Sequence, residues 1–238
     1  MKTIEIVTHA YAEEMPHFAS ALVHQLSSIL LHPSKCCKVA VSLCSTLNDR
    51  RIDLVSRYFL TQQKELDLGI YDMSADELGR RSIGRNRVAK DTDADIVWFA
   101  DVDQVFRDGI FDRLAEMEWP ADASMIYPRM IKIHKDHATG DKLLCGMKEP
   151  KLVDIDPEDF IDKRYRKAIG GVQIVQGDFA RQHGYLNGDE KWQRSTDKPF
   201  GDFRDDVAYR SFCLQHGPIV GVDLPGMFRL RHTATTYK

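Results

Sequence analysis

The stretch DADIVWFADVDQVF, residues 93–106, runs through Ile96-Val97-Trp98-Phe99-Ala100, all apolar, and then meets Asp101-Val102-Asp103. An unbroken apolar run of that length reads as a strand covered on both faces, the habit of a parallel sheet with helices on each side. Residues i and i+2 of an extended segment point the same way. Two carboxylates so placed repel each other and are costly to desolvate. A hard divalent cation removes both costs, because carboxylate oxygens are its preferred ligands. The same spacing also suits a solvated turn with Asp103 as a cap, so the pair alone leaves both readings open.

Outward from this strand, β-like runs alternate with helical periodicity. Thr3–Thr8, Lys38–Leu43 and Leu66–Tyr71 read as strands, and Glu13–Leu31, Arg51–Gln62 and Ser74–Lys90 as helices. The last opens on a Ser74-x-x-Glu77 capping box. This order predicts an α/β fold with a Rossmann-like, doubly wound, mostly parallel sheet. Such sheets bind ligands beyond the carboxyl ends of their strands, where Asp101, Asp103, Thr8 and His9 stand. Arg80-Arg81 and Arg85, one helix upstream, either clamp a diphosphate or form a solvated helix face.

The second half is less regular. Ser124–Ile133 reads as a strand interrupted by Pro128, His134–Pro150 as a loop or hairpin, and Asp156–Lys167 as a helix. Val172–Val175 follows Gly170-Gly171 as a strand. A polar loop over Leu186–Gly201, a helix over Asp205–Gln215 and a strand over Ile219–Val222 complete the chain. The run Lys163-Arg164-Tyr165-Arg166-Lys167 reads as a solvated helix face, or as a track for a polyanion such as DNA.

The chain has 238 residues, 43% hydrophobic and 29% charged, with a net charge of −3. These values fit an ordinary globular domain and carry no global signature of nucleic-acid binding. No apolar run is long enough to span a bilayer, and the start MKTIEIVTHAY has a strand pattern without a signal-peptide core. Five cysteines, none in CxxC spacing, read as reduced thiols in a cytoplasmic protein.

The stretch GRNRVAKDTDADIVWFADVDQVF resembles GT-A glycosyltransferases of the family 2 type. There a short Arg-Asn segment opens a helix, and an acidic residue, a buried strand and the Asp-x-Asp metal motif follow. A second stretch, IGGVQIVQGDFARQHGYLN, is similar to the acceptor-side segment of galactosyltransferase-type members, with Gly170-Gly171, Phe179 and Gly184-Tyr185 as its marks. FGDFRDDVAYRSFCLQHG resembles the family's acidic helix, and GMFRLRHT its C-terminal metal segment. The resemblance implies one continuous GT-A domain, with residues 1–112 binding the nucleotide-sugar and an α+β half, 113–238, binding the acceptor.

It also implies roles. Asp103 and His232 would hold Mn²⁺ or Mg²⁺, and a mixed oxygen and imidazole set suits Mn²⁺ better. Asp101 would contact ribose or metal-bound water. Thr8, His9, Arg85 and Gly171 would lie against the nucleotide-sugar, a UDP-sugar by this likeness. The second strand ends Leu43-Cys44-Ser45-Thr46 where family 2 members carry an Asp for the base, which leaves Asp72 to serve there. Alignment on Val207 and Gly217 makes Asp206 the catalytic base and Asp205 its partner or an acceptor contact; alignment on Arg210 makes Asp205 the base. Trp192 would stack on a sugar, or serve as core or lid. Transfer to a glycan, lipid-linked sugar, protein or modified nucleic acid, with inversion, is the activity implied. A nucleotidyltransferase, or a catalytically silent sugar-nucleotide-binding module, is the competing reading. THAYAEEMPHF lacks the glycine-rich loop that counts for the former.

Overall fold

The computed structural model describes residues 1–13, 15–145, 149–195 and 204–233. The chain runs β1 (Thr3–His9), α1 (His17–Leu31), β2 (Lys38–Ser45), α2 (Arg50–Gln62), β3 (Asp67–Asp72), α3 (Ala75–Leu78), α4 (Arg81–Asp91), β4 (Ile96–Phe99) and β5 (Gln104–Phe106). It continues with α5 (Ile110–Glu116), β6 (Met125–Pro128), β7 (Met130–His134), α6 (His137–Leu144), β8 (Phe160–Arg164), β9 (Gln173–Gln176), α7 (Gly177–His183), α8 (Glu190–Gln193), α9 (Asp205–Leu214), β10 (Ile219–Val222) and β11 (Met227–Arg229).

Seven strands form a sheet in the order β10-β6-β9-β4-β1-β2-β3, parallel except for β9. The chain winds from β1 outward through β2 to β3, then returns to the other side of β1 as β4. The carboxyl ends of β1 and β4 therefore flank the switch point where such sheets leave a crevice. All four residues of β4 are buried, as the apolar run predicts. The Trp98 ring meets Phe106 at 5.1 Å, and its indole N–H donates to the Gly171 carbonyl at 3.0 Å.

A second sheet, β5-β11-β7-β8, stands beside the first. Pro128 ends β6, and the next backbone group links the two sheets: Arg129 N–H donates to Val222 at 2.9 Å, and its carbonyl accepts from Tyr165 at 2.8 Å. The strand expected over Ser124–Ile133 is thus two strands, one in each sheet. Both sheets draw on the first and second halves of the chain, and residue 112 lies inside α5.

Four further local readings are corrected. Asp156–Lys167 is not a helix: a 3₁₀ turn over Pro157–Asp159 leads into β8, which pairs antiparallel with β7. Asp156 caps only that turn, and the ladder to β7 overrides local helical preference. His134–Pro150 contains α6, capped by Asp136 accepting from Thr139 N–H at 2.7 Å. Gly140 lets that helix approach the C-terminal segment: a β-carbon there would lie 1.7 Å from the Arg231 carbonyl. The helix expected over Ser74–Lys90 breaks at Gly79-Arg80 into α3 and α4, although the Ser74–Glu77 capping box forms. The loop expected over Leu186–Gly201 holds the short α8; its residues 196–201 lie outside the described residues. Among the described residues, no helix is long and apolar enough to cross a membrane.

Asp49 ties α2 to the segment after β1. Its buried carboxylate accepts from Arg51 and Ile52 N–H at 3.0 and 3.1 Å, and from Ala12 and Glu13 N–H at 2.5 and 3.2 Å. Asp49→Ala orphans all four donors, and is expected to cost about 3 kcal/mol in denaturant unfolding. A loss below about 1 kcal/mol would show that the segment after β1 is held by other contacts.

Candidate active site

Asp101 ends the buried strand. Its carbonyl accepts from the Gln25 side chain at 2.9 Å and from Gln104 N–H at 3.2 Å, which fixes the turn toward Asp103. Its Oδ1 accepts from Arg81 at 2.8 Å and lies 3.3 Å from Arg85. Burial pushes the Asp101 carboxyl up, but the two guanidiniums outweigh it and hold it below the ordinary carboxylate value.

Arg85 is fully buried. Burial disfavours its charge, yet Tyr185, Asp101 and Asp205 outweigh that and raise its pKa. From Arg85 a hydrogen-bonded chain crosses the core. Arg85 donates to the Tyr185 hydroxyl at 2.9 Å, Tyr185 donates to Gln173 Oε1 at 2.9 Å, and Gln173 Nε2 donates to the Asp206 carbonyl at 2.9 Å. The Tyr185 ring stacks on Tyr209 of α9 at 3.9 Å. The helix carrying Arg81 and Arg85 is thereby coupled to the helix that begins Asp205-Asp206.

Asp103 is placed by pairing between distant segments. β5 runs antiparallel to β11, with Gln104 opposite Arg229, and Leu230 N–H donates to the Asp103 carbonyl at 2.8 Å. The register sets Arg229 Nε 3.0 Å and His232 Nε2 3.8 Å from Asp103 Oδ2. Asp103 raises the Arg229 pKa; burial lowers that of His232 against the pull of Asp103, which favours the neutral, metal-binding imidazole.

Asp103 Oδ1 and His232 Nδ1 are buried without a hydrogen-bond partner. Among the described residues, no group of three or more His, Cys, Asp or Glu is arranged around a metal. The fit is to an ion that takes one carboxylate and one imidazole from the protein and its other ligands from substrate phosphate and water, as Mg²⁺ and Mn²⁺ sites do.

Asp205 and Asp206 open α9 and differ in environment. Asp205 is 3% exposed, accepts from the Asp206 N–H at 3.0 Å and lies 3.6 Å from Arg81. Asp206 is half-buried; burial and the charge of Asp205 push its pKa up. Gly170 sits between the acids: a β-carbon there would lie 3.4 Å from Asp101 Oδ2 and 3.8 Å from Asp206 Oδ2.

A cleft of about 320 Å³ gathers His9, Asp101, Asp103, Asp206 and His232, joined by Arg81 and Arg229. His9 is buried with both ring nitrogens unpartnered; burial, then Arg85 and Arg81, hold its pKa well below the usual histidine value. Gly84 lets α4 close over it, since a β-carbon would lie 2.4 Å from His9 Nε2.

Other expected residues lie away from the cleft lining. Thr8 is buried at the end of β1, and Arg85 lies under Asp101. Gly171 packs where a β-carbon would meet Gln104 Nε2 at 1.9 Å. Asp72, at the outer strand β3, accepts from Leu47 N–H at 2.9 Å. The Trp192 ring is buried under the Arg80 guanidinium at 5.5 Å and the Lys191 ammonium at 4.8 Å. Two contributors were missed in the sequence: Arg229, whose link to Asp103 exists only through the β5–β11 register, and Gln173, a polar residue inside an apolar strand, which is the signal that could have found it.

Removing a partner from a buried ionic network leaves an uncompensated charge, at about 3–5 kcal/mol. Arg85→Ala is therefore expected to destabilise by about that amount in denaturant unfolding, and Arg81→Ala, at a partly exposed site, by clearly less. Equal losses would show that the network is not centred on Arg85.

No protein-family model and no curated protein sequence matches the chain. Solved structures do. It is similar to the galactosyltransferase LgtC in complex with donor and acceptor sugar analogues, at 15% identity over 92% of this chain and 73% of that one, TM-score 0.53. The mannosyltransferase PcManGT from Pyrobaculum calidifontis, in complex with GDP-Man and Mn²⁺, matches at 10% identity over 95% of this chain, TM-score 0.57. S. aureus TarS 1–349 matches at 13% identity over 96% of this chain, TM-score 0.52. The chain spans 56% and 60% of those last two. With its mostly parallel seven-stranded sheet and the cleft at the switch point, it has the fold of the GT-A glycosyltransferases.

Proposed function

We propose that the protein is a metal-dependent glycosyltransferase that moves a sugar, with inversion, from a nucleotide-sugar, most simply a UDP-sugar, to an acceptor hydroxyl. The observation that carries this reading is one cleft lined by Asp101, Asp103, Asp206, Arg229 and His232. Acids, bases and cations from three separate parts of the chain converge there, in a fold shared with enzymes that bind sugar donors.

The chemistry asks for three things. The leaving nucleoside diphosphate needs positive charge; Arg81 and Arg229 face the cleft and supply it. A divalent cation held by Asp103 and His232 would add charge neutralisation at the diphosphate. The acceptor needs a base, and Asp206 is the cleft-lining carboxylate that has no guanidinium ion pair among the described residues. As the acceptor oxygen bonds to the anomeric carbon, the bond to the diphosphate oxygen breaks on the opposite face, and Asp206 takes the hydroxyl proton. Its raised pKa makes it a better proton acceptor than an exposed aspartate. Asp205, buried beside Arg81, serves as its charge partner.

Incubation with UDP- and GDP-sugars and Mn²⁺ tests the class, with slow donor hydrolysis as the readout. Release of pyrophosphate from a nucleoside triphosphate would instead identify a nucleotidyltransferase. Asp103→Ala and Asp206→Asn are each expected to abolish transfer, with metal-dependent nucleotide binding surviving only in the second. Full transfer in both variants would sink the assignment.

The pH dependence has a defined sign. A base with a raised pKa loses activity as pH falls through that pKa, so the acid limb should lie above the ordinary aspartate value. The charge of Asp205 contributes to the rise, after burial, so Asp205→Asn should move the limb to lower pH. A limb that stays in place would remove Asp206 as the titrating base.

A further inference from the structure

A second cavity, of about 390 Å³, opens beside the cleft and shares Asp103, Ile169, Arg229 and His232 with it. Its remaining wall includes Lys163, Tyr165 and Arg231. The volume is that of a small-molecule subsite, and apart from Asp103, which is paired with Arg229, the charged side chains of its wall are basic. No carboxylate pairs with Lys163 or Arg231 among the described residues. Arg231 instead reaches the carbonyls of His134 and Lys135 at 3.5 and 3.4 Å and lies 2.8 Å from His137 Nε2.

The cationic surface continues outward. Lys163 lies near the end of β8, an edge strand, and Arg166 and Lys167 follow it, while Arg164 points to the opposite face. None of Lys163, Arg166 and Lys167 has an acid partner among the described residues, whereas Lys132 on the neighbouring strand is paired with Asp162 at 3.4 Å. The whole chain carries a net charge of −3, so composition does not account for this concentration of unpaired positive charge. The side toward the reaction is equally defined. Ile169 lines both cavities and precedes Gly170, which lies against Asp206.

We propose that this cavity binds a phosphate ester of the acceptor, so that the substrate receiving the sugar is anionic, with phosphate close to the reacting hydroxyl. Lys163 and Arg231 donate charge-assisted hydrogen bonds to the phosphate oxygens, and Tyr165 packs against the adjoining sugar or base. Naming the occupant as the acceptor rests on the transferase reading; the anion site itself does not.

Direct binding tests it. The full chain is titrated with a fluorescein-labelled oligothymidylate, followed by anisotropy, and with glucose 6-phosphate and inorganic phosphate, followed by calorimetry, all at low ionic strength with UDP present. Binding of the oligonucleotide alone supports a phosphodiester chain as the source of the phosphate; binding of the small phosphates supports a phosphorylated small acceptor. In either case Lys163→Glu, an exposed change on an edge strand, is expected to weaken binding at least about tenfold. Lys163→Arg should hold it within about twofold, and Lys163→Glu/Arg231→Glu should abolish it. Absence of binding by every probe, or wild-type binding by Lys163→Glu, overturns the proposal. Nucleotide affinity is measured in parallel: phosphate binding without nucleotide binding defeats the transferase reading and leaves the anion site standing, and the reverse defeats the anion site alone.

Discussion

A guanidinium with no exposed surface organises the molecule. Arg85 sits under Asp101 and beside Tyr185, with Asp205 close enough to favour its charge. A buried charge of this kind persists only when its partners are fixed, because losing one leaves a cost of several kcal/mol. The partners of Arg85 come from the end of β4 and from the segment before α8; through Gln173 the constraint reaches α9. Helix α4, the central strand and the acidic helix therefore cannot shift independently. The cleft lies where these three meet, and its shape follows from satisfying that one charge.

The opposite wall depends on a different constraint. Three residue pairs between β5 and β11 bring the end of the described chain beside Asp103. Neither strand is long, and the ladder is sustained by its neighbours: β11 also pairs with β7, and β7 with β8. The metal-binding candidate pair thus spans 129 positions of sequence, from Asp103 to His232, yet is held by a local antiparallel register. The same small sheet carries the basic edge strand, so the candidate metal pair and the proposed anion site rest on one scaffold.

This distinction explains what was legible from sequence. β4 was readable because five apolar residues in a row require burial on both faces, and the structure grants it. β10 matched over Ile219–Val222 because Gly217-Pro218 marks its start. The segment Asp156–Lys167 was misread because its fate as β8 depends on β7, which local periodicity does not encode. His134–Pro150 was misread for a related reason: it holds α6, where Gly140 allows close approach to the Arg231 carbonyl, a long-range contact. At the site, the two aspartates after β4 were visible as a pair. Their separate partners, Arg81 and Arg85 for Asp101 and Arg229 for Asp103, became visible only in three dimensions.

That separation of partners also bears on the two acids of α9. Successive helical residues point about 100° apart, so adjacent carboxylates cannot share one environment. Asp205 turns inward, toward Arg81 and Arg85, and its charge is balanced. Asp206 turns to the cleft, where partial burial and the neighbouring charge raise its proton affinity. Four carboxylates and three guanidiniums meet here, and of the three acids that line the cleft Asp206 is the one without a guanidinium ion pair among the described residues. An array in which three acids are neutralised and the fourth is left to take up a proton is what base catalysis requires. On the proposed reading, balancing Asp205 internally frees Asp206 for that task.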